Sequence, residues 1–513
     1  MKILLGQSYF QQFDEKLRAA HQPYPPLGTL YAASLLRRHG HEPVLFDAML
    51  AESELEWLSA LDTIRPDLAV LYEDNFNYLS KMCLARMRQA AFQMIGDAHK
   101  RGIPVIAAGA DASDHWRKYL EVGASYVLIG EGDITLAEMV NQLEKRSGAA
   151  PESIDGLAFL RPDGSGVRTT PRAPLRNLDD LPFPAWDLVD IERYRRIWSR
   201  HHGYFSMNVA TTRGCPYHCN WCAKPIWGQR YNVRTPKNVA AEIAWLQEKY
   251  RPDHLSFVDD IFGLQPGWLN EFAARIEAGG TRVPFKCLSR VDLLLRPGEI
   301  EALRRAGART VWVGAESGSQ AILDAMEKGT KIDQIFQVTS RLRSAGIGVG
   351  FFLQFGYPGE TQADIEATRR MVMELLPDDI GISVSYPLPG TKFYLRVKDQ
   401  LGEKRHWQDS NDLAMLYHGS QSTAYYRQLH RTLHTEYRFR KAWRDIKIIA
   451  QTRPRIGLKR LARIGRAIMQ GGSLPFERLR LRNLAGQPGG NIRLDGRGLN
   501  QAEAATPTAQ MDR

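Results

Sequence analysis

Short apolar runs alternate with helix-length amphipathic stretches along most of this chain, and that alternation restricts its fold more than any other feature. In residues 1–146 the runs Ile3–Leu5, Val44–Phe46, Leu68–Leu71, Val105–Ala108 and Val127–Ile129 read as strands. Helical patterns lie between and after them at Leu27–His39, Glu52–Leu61, Ser80–Lys100, Ser113–Val122 and Ile134–Arg146. Five strand–helix units with short connections predict an α/β fold, a doubly wound, Rossmann-like parallel sheet. A second series follows, with strands expected at Phe205–Ala210, His254–Val258, Phe285–Leu288, Thr310–Gly314, Gly348–Phe355 and Asp379–Ser385. The spans between are helix-length, as at Val239–Lys249 and Ile332–Ala345, so this half reads as a partial (β/α)6 barrel of TIM type. Chemistry on both folds gathers at the carboxyl ends of the strands.

A chain of 513 residues, 43% of them hydrophobic, suffices for about three domains. The expected division is 1–146 for the first sheet, 147–195 for a linker rich in Pro, Asp and Arg, and 196–399 for the barrel. A helical, basic region at 400–484 and a disordered tail at 485–513 complete it. No Gly-x-Gly-x-x-Gly follows the first strand, which argues against a dinucleotide site.

Three of the five cysteines fall within eight residues, at Cys215, Cys219 and Cys222, just after the apolar stretch Met207–Ala210. Three thiolates in one tight loop suit a soft metal centre. A [4Fe–4S] cluster usually takes four cysteines, so three would leave one iron open to a ligand. A Cys3His zinc site completed by His218 or His201 is an alternative, although zinc ligands usually come as two separated pairs. A disulfide framework fits poorly, because the cysteines are few and odd in number and no secretory signal precedes them. Cys83 and Cys287 lie in apolar surroundings and read as core residues.

The loop Cys215-Pro216-Tyr217-His218-Cys219-Asn220-Trp221-Cys222 resembles the cluster loop of radical S-adenosylmethionine (SAM) enzymes, over roughly residues 196–395. The resemblance implies a [4Fe–4S] cluster on Cys215, Cys219 and Cys222, whose open iron chelates SAM and whose electron cleaves it to a 5′-deoxyadenosyl radical. It also implies cofactor contacts from Trp221, from Asp259 and Asp260 near the SAM amino group, from Arg290 to the SAM carboxylate, and from Glu316 and Ser317 to the ribose or methionine part. For Asp259 or Asp260 helix capping is an equal alternative, and for Arg290 a salt bridge to Asp292. Gly314-Ala315-Glu316-Ser317-Gly318-Ser319 matches the family closely. Gln354–Thr361 resembles the turn that flanks adenine, with Glu360 and Thr361 read as caps, and Pro387–Thr391 closes the barrel in the same manner.

Pro25–Ala33 and Gly130-Glu131-Gly132 resemble the cobalamin-binding domain often placed before such barrels. That likeness implies cobalamin contacts at Gly130, Glu131 and Gly132. The loops at Gly6–Ser8 and Gly109–Ser113 end two further strands. Two details run against a simple match. Asp97-Ala98-His99-Lys100-Arg101-Gly102 fits the axial-histidine motif Asp-x-His-x-x-Gly, but it falls at the end of the third helix and reads as a glycine-terminated helix end. Gly109-Ala110-Asp111-Ala112 departs from the Gly-Gly-x-His common in relatives. Leu178–Trp186 looks like the family's interdomain linker.

The net charge of +11 is uneven: residues 427–482 hold 16 Lys/Arg against three Asp/Glu. Such a segment suits nucleic acid, anionic lipid or a solvated helical surface. Asp412–Tyr417 and Tyr425-Tyr426-Arg427 faintly resemble the branch containing the anaerobic magnesium-protoporphyrin monomethyl ester cyclase. No apolar run reaches the ~18 residues of a membrane span, and the N-terminus reads as a strand, so the expectation is cytoplasmic, possibly peripheral to a membrane. The reading as a whole is a radical SAM enzyme acting on an unactivated carbon, with cobalamin-dependent methyl transfer first and oxidative cyclisation or rearrangement second. Expected partners are a small or lipid-like substrate and a reductant such as flavodoxin or ferredoxin, with no specific nucleic acid. A non-catalytic iron–sulfur sensor is the contrasting class, but a sensor would need the cysteines alone and not the pocket motifs.

Overall fold

The structure, a computed structural model, describes residues 1–486 apart from 83, 146–149, 225, 402–405, 408–412 and 453–457. The expectations for Cys83, for Asp412 and for residues 487–513 fall outside the described residues. The first sheet comprises β1 (Lys2–Gly6), β2 (Glu42–Leu45), β3 (Leu68–Tyr72), β4 (Val105–Ala108), β5 (Tyr126–Leu128), β6 (Leu157–Leu160) and β7 (Gly166–Arg168), in the order β2-β1-β3-β4-β5-β6-β7. The five parallel strands follow the flavodoxin-like 2-1-3-4-5 order. Helices cover both faces, so β3 and β4 are buried along their whole length and need no polar alternation.

The sheet extends beyond the expected boundary at residue 146. β6 and β7 add an antiparallel hairpin beside β5, inside the stretch read as linker. These strands are short, and their pairing is a tertiary event that their own sequence does not announce.

The second sheet is the half-barrel. β8 (Ser206–Val209) leads into a two-stranded ribbon, β9 (Thr212–Arg213) and β10 (Asn232–Val233). The remaining barrel strands are β11 (His254–Phe257), β12 (Phe285–Ser289), β13 (Ala308–Glu316), β14 (Gly348–Phe355) and β15 (Asp379–Val384). All six pair in parallel in sequence order. Odd-numbered residues of β13 and β14, such as Val311, Val313, Val349, Phe351 and Leu353, pack outward into the main core under the helices. The helix Pro236–Tyr250 starts at Thr235, whose side chain accepts from Asn238 N–H, with Pro236 at its first position. The helix Gln362–Leu375 opens on a Thr361–Asp364 capping box, as the sequence predicts for Thr361.

Helices Thr423–Thr452, Leu458–Gly471 and Leu474–Leu484 form the basic C-terminal region. Tyr425, Tyr426, Leu429, Leu433 and Tyr437 join the barrel core, and Tyr437 donates to Pro377 O at 2.7 Å. Among the described residues no helix is long and apolar enough to cross a membrane.

Candidate functional site

The cysteine loop leaves β9 at the carboxyl mouth of the barrel. Gly214, with φ +85°, makes that exit possible: a Cβ there would lie 2.4 Å from Arg230 O. Asp259 holds the approach. Its carboxylate accepts from Thr211 N–H (2.7 Å), Thr211 Oγ1 (2.9 Å), Thr212 N–H (2.6 Å) and Thr212 Oγ1 (3.0 Å). Those four bonds make Asp259 a scaffold for the loop and leave it little acceptor capacity for a further donor. Asp260 differs. It is partly open and pairs with Lys81 of the first domain at 2.7 Å. Lys81 Nζ also lies 5.2 Å from the Trp227 ring centroid.

Asn220 clamps the loop from within. It donates to Ala325 O (2.7 Å) and accepts from Tyr357 OH (2.8 Å), while its backbone bonds Met326 O and Phe393 N–H. The three thiols neighbour one another, and burial pushes Cys222 up to about 12 and raises Cys215 as well. Arg290 Nη1 lies 3.9 Å from Cys219 Sγ. Its guanidinium stacks 3.6 Å over Tyr217, pairs with Asp292 and donates to Lys328 O. The salt bridge weighed from sequence is therefore present, and the same group faces the thiols.

Glu316 has φ +57°, rare for a residue with a side chain, and pairs with Lys328 at 2.8 Å. A Cβ on Gly314 would lie 2.4 Å from Glu316 Oε1 and 2.6 Å from Lys328 Nζ, so a side chain there would displace this ion pair. Lys328 Nζ lies 5.9 Å from the ring of Trp221, whose buried Nε1 has no partner. Ser317 is wholly buried and bonded to Thr368 Oγ1 and Ser319 N–H. Lys328 was not legible as a site residue, because only the folded chain brings it to the loop, and Asn220, though inside the loop, finds its partners Ala325, Tyr357 and Phe393 only on folding.

Among the described residues, no three His, Cys, Asp or Glu side chains form a preformed metal site. The zinc alternative finds no fourth ligand, since His218 is exposed and His201 stacks on His21 with centroids 3.7 Å apart. The donor set itself suits a [4Fe–4S] cluster: three thiols in one loop, with Arg290 beside them and the charges of Lys224 and Lys328 acting on them. Cys287 is a buried core residue, as expected.

The first domain turns the carboxyl ends of its strands toward this loop. Arg213 pairs with Glu131 and, at 2.8 Å, with Asp133, all three buried. Glu131 Oε2 accepts from Leu175 N–H. Glu131 thus joins the first sheet to the strand that leads into the cysteine loop. Gly132 is pressed on Leu128 and Tyr72, and Gly130 supplies φ +77°. Gly28 donates to Asp74 Oδ1 at 3.0 Å, which presses the helix Leu27–Arg38 against the loop after β3. Around the loops after β1 and β3, buried Gln7 Nε2 and Oε1, Tyr9 OH, Asn75 Oδ1 and Ser80 Oγ have no partner. Orphaned donors and acceptors at the carboxyl edge of such a sheet fit a ligand rimmed with amides, as a corrin is. His99 ends the helix Ala85–His99 ahead of β4, on the amino edge, packed under Gly123.

The two sheets thus set a cysteine loop, at the mouth of a parallel half-barrel, beside a flavodoxin-type sheet. Residues 209–372 match the family model of the radical SAM superfamily. The chain is 26% identical over 378 residues to an uncharacterized methyltransferase of Pyrococcus horikoshii, covering 72% of this chain and 78% of that protein. It is 27% identical over 387 residues to the hopanoid C-3 methylase of Methylococcus capsulatus, covering 73% and 69%. The fold resembles TsrM from Kitasatospora setae, a radical SAM methyltransferase solved with cobalamin and a [4Fe–4S] cluster bound, with a TM-score of 0.62 at 21% identity over 77% of this chain and 74% of that one. Residues 209–372 thus carry the likeness to the radical SAM superfamily, and the fold, first sheet included, is similar to that of TsrM.

Proposed function

We propose that the enzyme transfers a methyl group to an unactivated carbon, with a [4Fe–4S] cluster on Cys215, Cys219 and Cys222 and cobalamin on the first domain. The observation that carries this reading is the apposition of the two mouths. The thiol loop faces the sheet edge that holds the orphaned Gln7, Tyr9, Asn75 and Ser80, and Lys81–Asp260 bridges the gap. The methylases among its relatives support it. When bound, the cluster supplies one electron to SAM, and cobalamin supplies a transferable methyl group. The chain's own residues then act as follows. Arg290 and Lys328 place positive charge beside the thiols. Glu316 and Asp260 offer carboxylates toward a cationic ligand, and Trp221 offers an indole N–H. Gln7, Tyr9, Asn75 and Ser80 hold the amide rim. His99 is too far round the sheet to meet cobalt.

A low-potential donor such as flavodoxin or ferredoxin would reduce the cluster, and the basic C-terminal face would meet an anionic membrane, which suits a lipid-like substrate. The central test is anaerobic reconstitution with isotopically labelled SAM. About four irons per chain are expected, lost when the three cysteines become Ala, together with 5′-deoxyadenosine and S-adenosylhomocysteine among the products. The spectrum of bound cobalamin should be unchanged in His99→Ala. Stoichiometric zinc without iron would overturn the cluster, and a spectrum that loses a histidine signature in His99→Ala would overturn the axial assignment.

A further inference from the structure

The interior of a (β/α) barrel is ordinarily filled by layers of bulky branched side chains. Here the inner face splits into two halves. On the β8–β12 side a segment of the first domain fills it. Tyr24 OH bonds Ser206 Oγ at 3.0 Å, Asn208 Nδ2 donates to Pro25 O at 3.0 Å, and Lys286 Nζ lies 5.3 Å from the Tyr24 ring. On the β13–β15 side nothing comparable enters among the described residues.

The inward positions there are glycine and two aromatic rings. Strand register sets Trp312 opposite Gly350, and Phe352 between Gly314 and Gly381. The rings lie over those glycines. A Cβ on Gly350 would be 2.4 Å from Trp312 Cδ2, and one on Gly381 would be 3.3 Å from Phe352 Cδ1. The two rings are 4.7 Å apart at 31°. Neither belongs to, or packs against, any hydrophobic core cluster, and Phe352 remains 39% exposed in mid-strand. One step toward the carboxyl mouth, inward Gln354 is 5% exposed and its Oε1 has no partner. Strand rise puts Phe352 about 10 Å below the end of β14, on the inner face of the same strand whose carboxyl end reaches the mouth of the barrel.

We propose that this half of the inner face is the substrate floor, and that it takes a flat, apolar ring system bearing a hydroxyl or N–H. Trp312 and Phe352 supply the stacking surface, because aromatic pairs of this geometry present a broad dispersive plane. Glycine at the flanking positions lets the two rings lie down on the sheet, so that they form the floor itself. Gln354 Oε1 accepts the substrate's donor and so fixes which edge faces the mouth. The inference rests on the cysteine loop marking the reacting end, and it adds the class of substrate.

The probe is pyrene-1-methanol, a flat polycyclic alcohol, titrated by its fluorescence into the full-length protein. Saturable binding is expected. Phe352→Ala, which removes the platform, and Gly381→Val, whose side chain would push the Phe352 ring off the sheet, should each weaken it at least tenfold. Phe476→Ser, which alters an exposed ring in the C-terminal region, should leave it unchanged. Gln354→Leu should abolish the preference for the alcohol over pyrene. No saturable binding, or binding indifferent to both floor variants when each gives a native circular dichroism spectrum, would overturn the proposal. Iron content and SAM cleavage in the wild type report on the cluster separately. Floor-dependent probe binding by a protein that holds no iron would keep the floor and remove the cluster.

Discussion

Glu360 lies at the turn after β14, buried, with one carboxylate oxygen accepting from Gly356 N–H at 2.6 Å and the other without a partner. Burial, opposed by that N–H and reinforced by Asp364, pushes its pKa from the ordinary 4.5 to about 8. The folded chain therefore keeps a proton that the unfolded chain releases above pH 4.5. Stability falls as pH rises from 4.5 through 8 and is level outside that window. Glu360→Gln keeps the acceptor and removes the titration. The variant should be more stable than wild type at pH 9, by ~1 kcal/mol or more, and indistinguishable at pH 4. Urea unfolding midpoints at the two pH values measure this, and an equal gain at both would show that ionisation is not the cause. The residue was read as a cap, and its carboxylate does take a backbone N–H, that of Gly356 in the turn before it and not one of the helix that Thr361 caps. Its charge state depends on burial under Tyr417 and Tyr426, which no local pattern reveals.

At the scale of elements, the strand runs read from the sequence agree with the structure to within about two residues, because buried parallel strands are apolar throughout and their helices keep a 3.6-residue period. The cysteine loop was legible for a similar reason, since its chemistry is local in sequence. What escaped is long-range. The hairpin β6–β7 depends on pairing with β5. Asp259 was read as a ligand or a cap, and its four bonds go to Thr211 and Thr212, 48 and 47 residues away. Glu131 was read as a cofactor contact, and its partner Arg213 is 82 residues away. That last pair yields a prediction. Arg213→Met leaves Glu131 and Asp133 buried without their cation, which should cost about 3–5 kcal/mol. Adding Glu131→Gln should recover part of the loss, because one of the two stranded charges is then gone. Denaturant titration of the three proteins decides it, and a loss under ~1 kcal/mol in the single variant would mean that the triad does not couple loop and domain.

The whole molecule has one face unlike the rest. Of ten large hydrophobic side chains exposed among the described residues, six belong to the basic C-terminal region: Trp443, Ile448, Leu461, Met469, Phe476 and Leu479. The inner side of the same region is packed, with Tyr425, Tyr426 and Tyr437 in the core and Arg369 and Arg478 bonded to buried Glu436. Glu477 is buried as well. Two of the segment's three acidic groups are thus turned inward, and the outer face combines cations with apolar side chains. A packed inner side accounts for the tyrosines but not for Met469 at 79% and Phe476 at 76% exposure. An anionic bilayer surface would receive both kinds of group, with apolar side chains in the headgroup boundary and Lys/Arg at the phosphates. Vesicle co-sedimentation should therefore capture the full-length protein on anionic but not neutral vesicles at low salt. Release is expected at about 0.5 M salt, where the Debye length has shrunk well below 10 Å. Truncation before this region would remove Tyr425 and Tyr426 from the core, so the informative variant is the triple change Met469→Ser, Phe476→Ser and Leu479→Ser. It keeps every charge and should still lose most of the binding. Equal sedimentation of the triple variant would show charge alone at work, and a full-length chain that ignores anionic vesicles would leave the face with no role at a membrane.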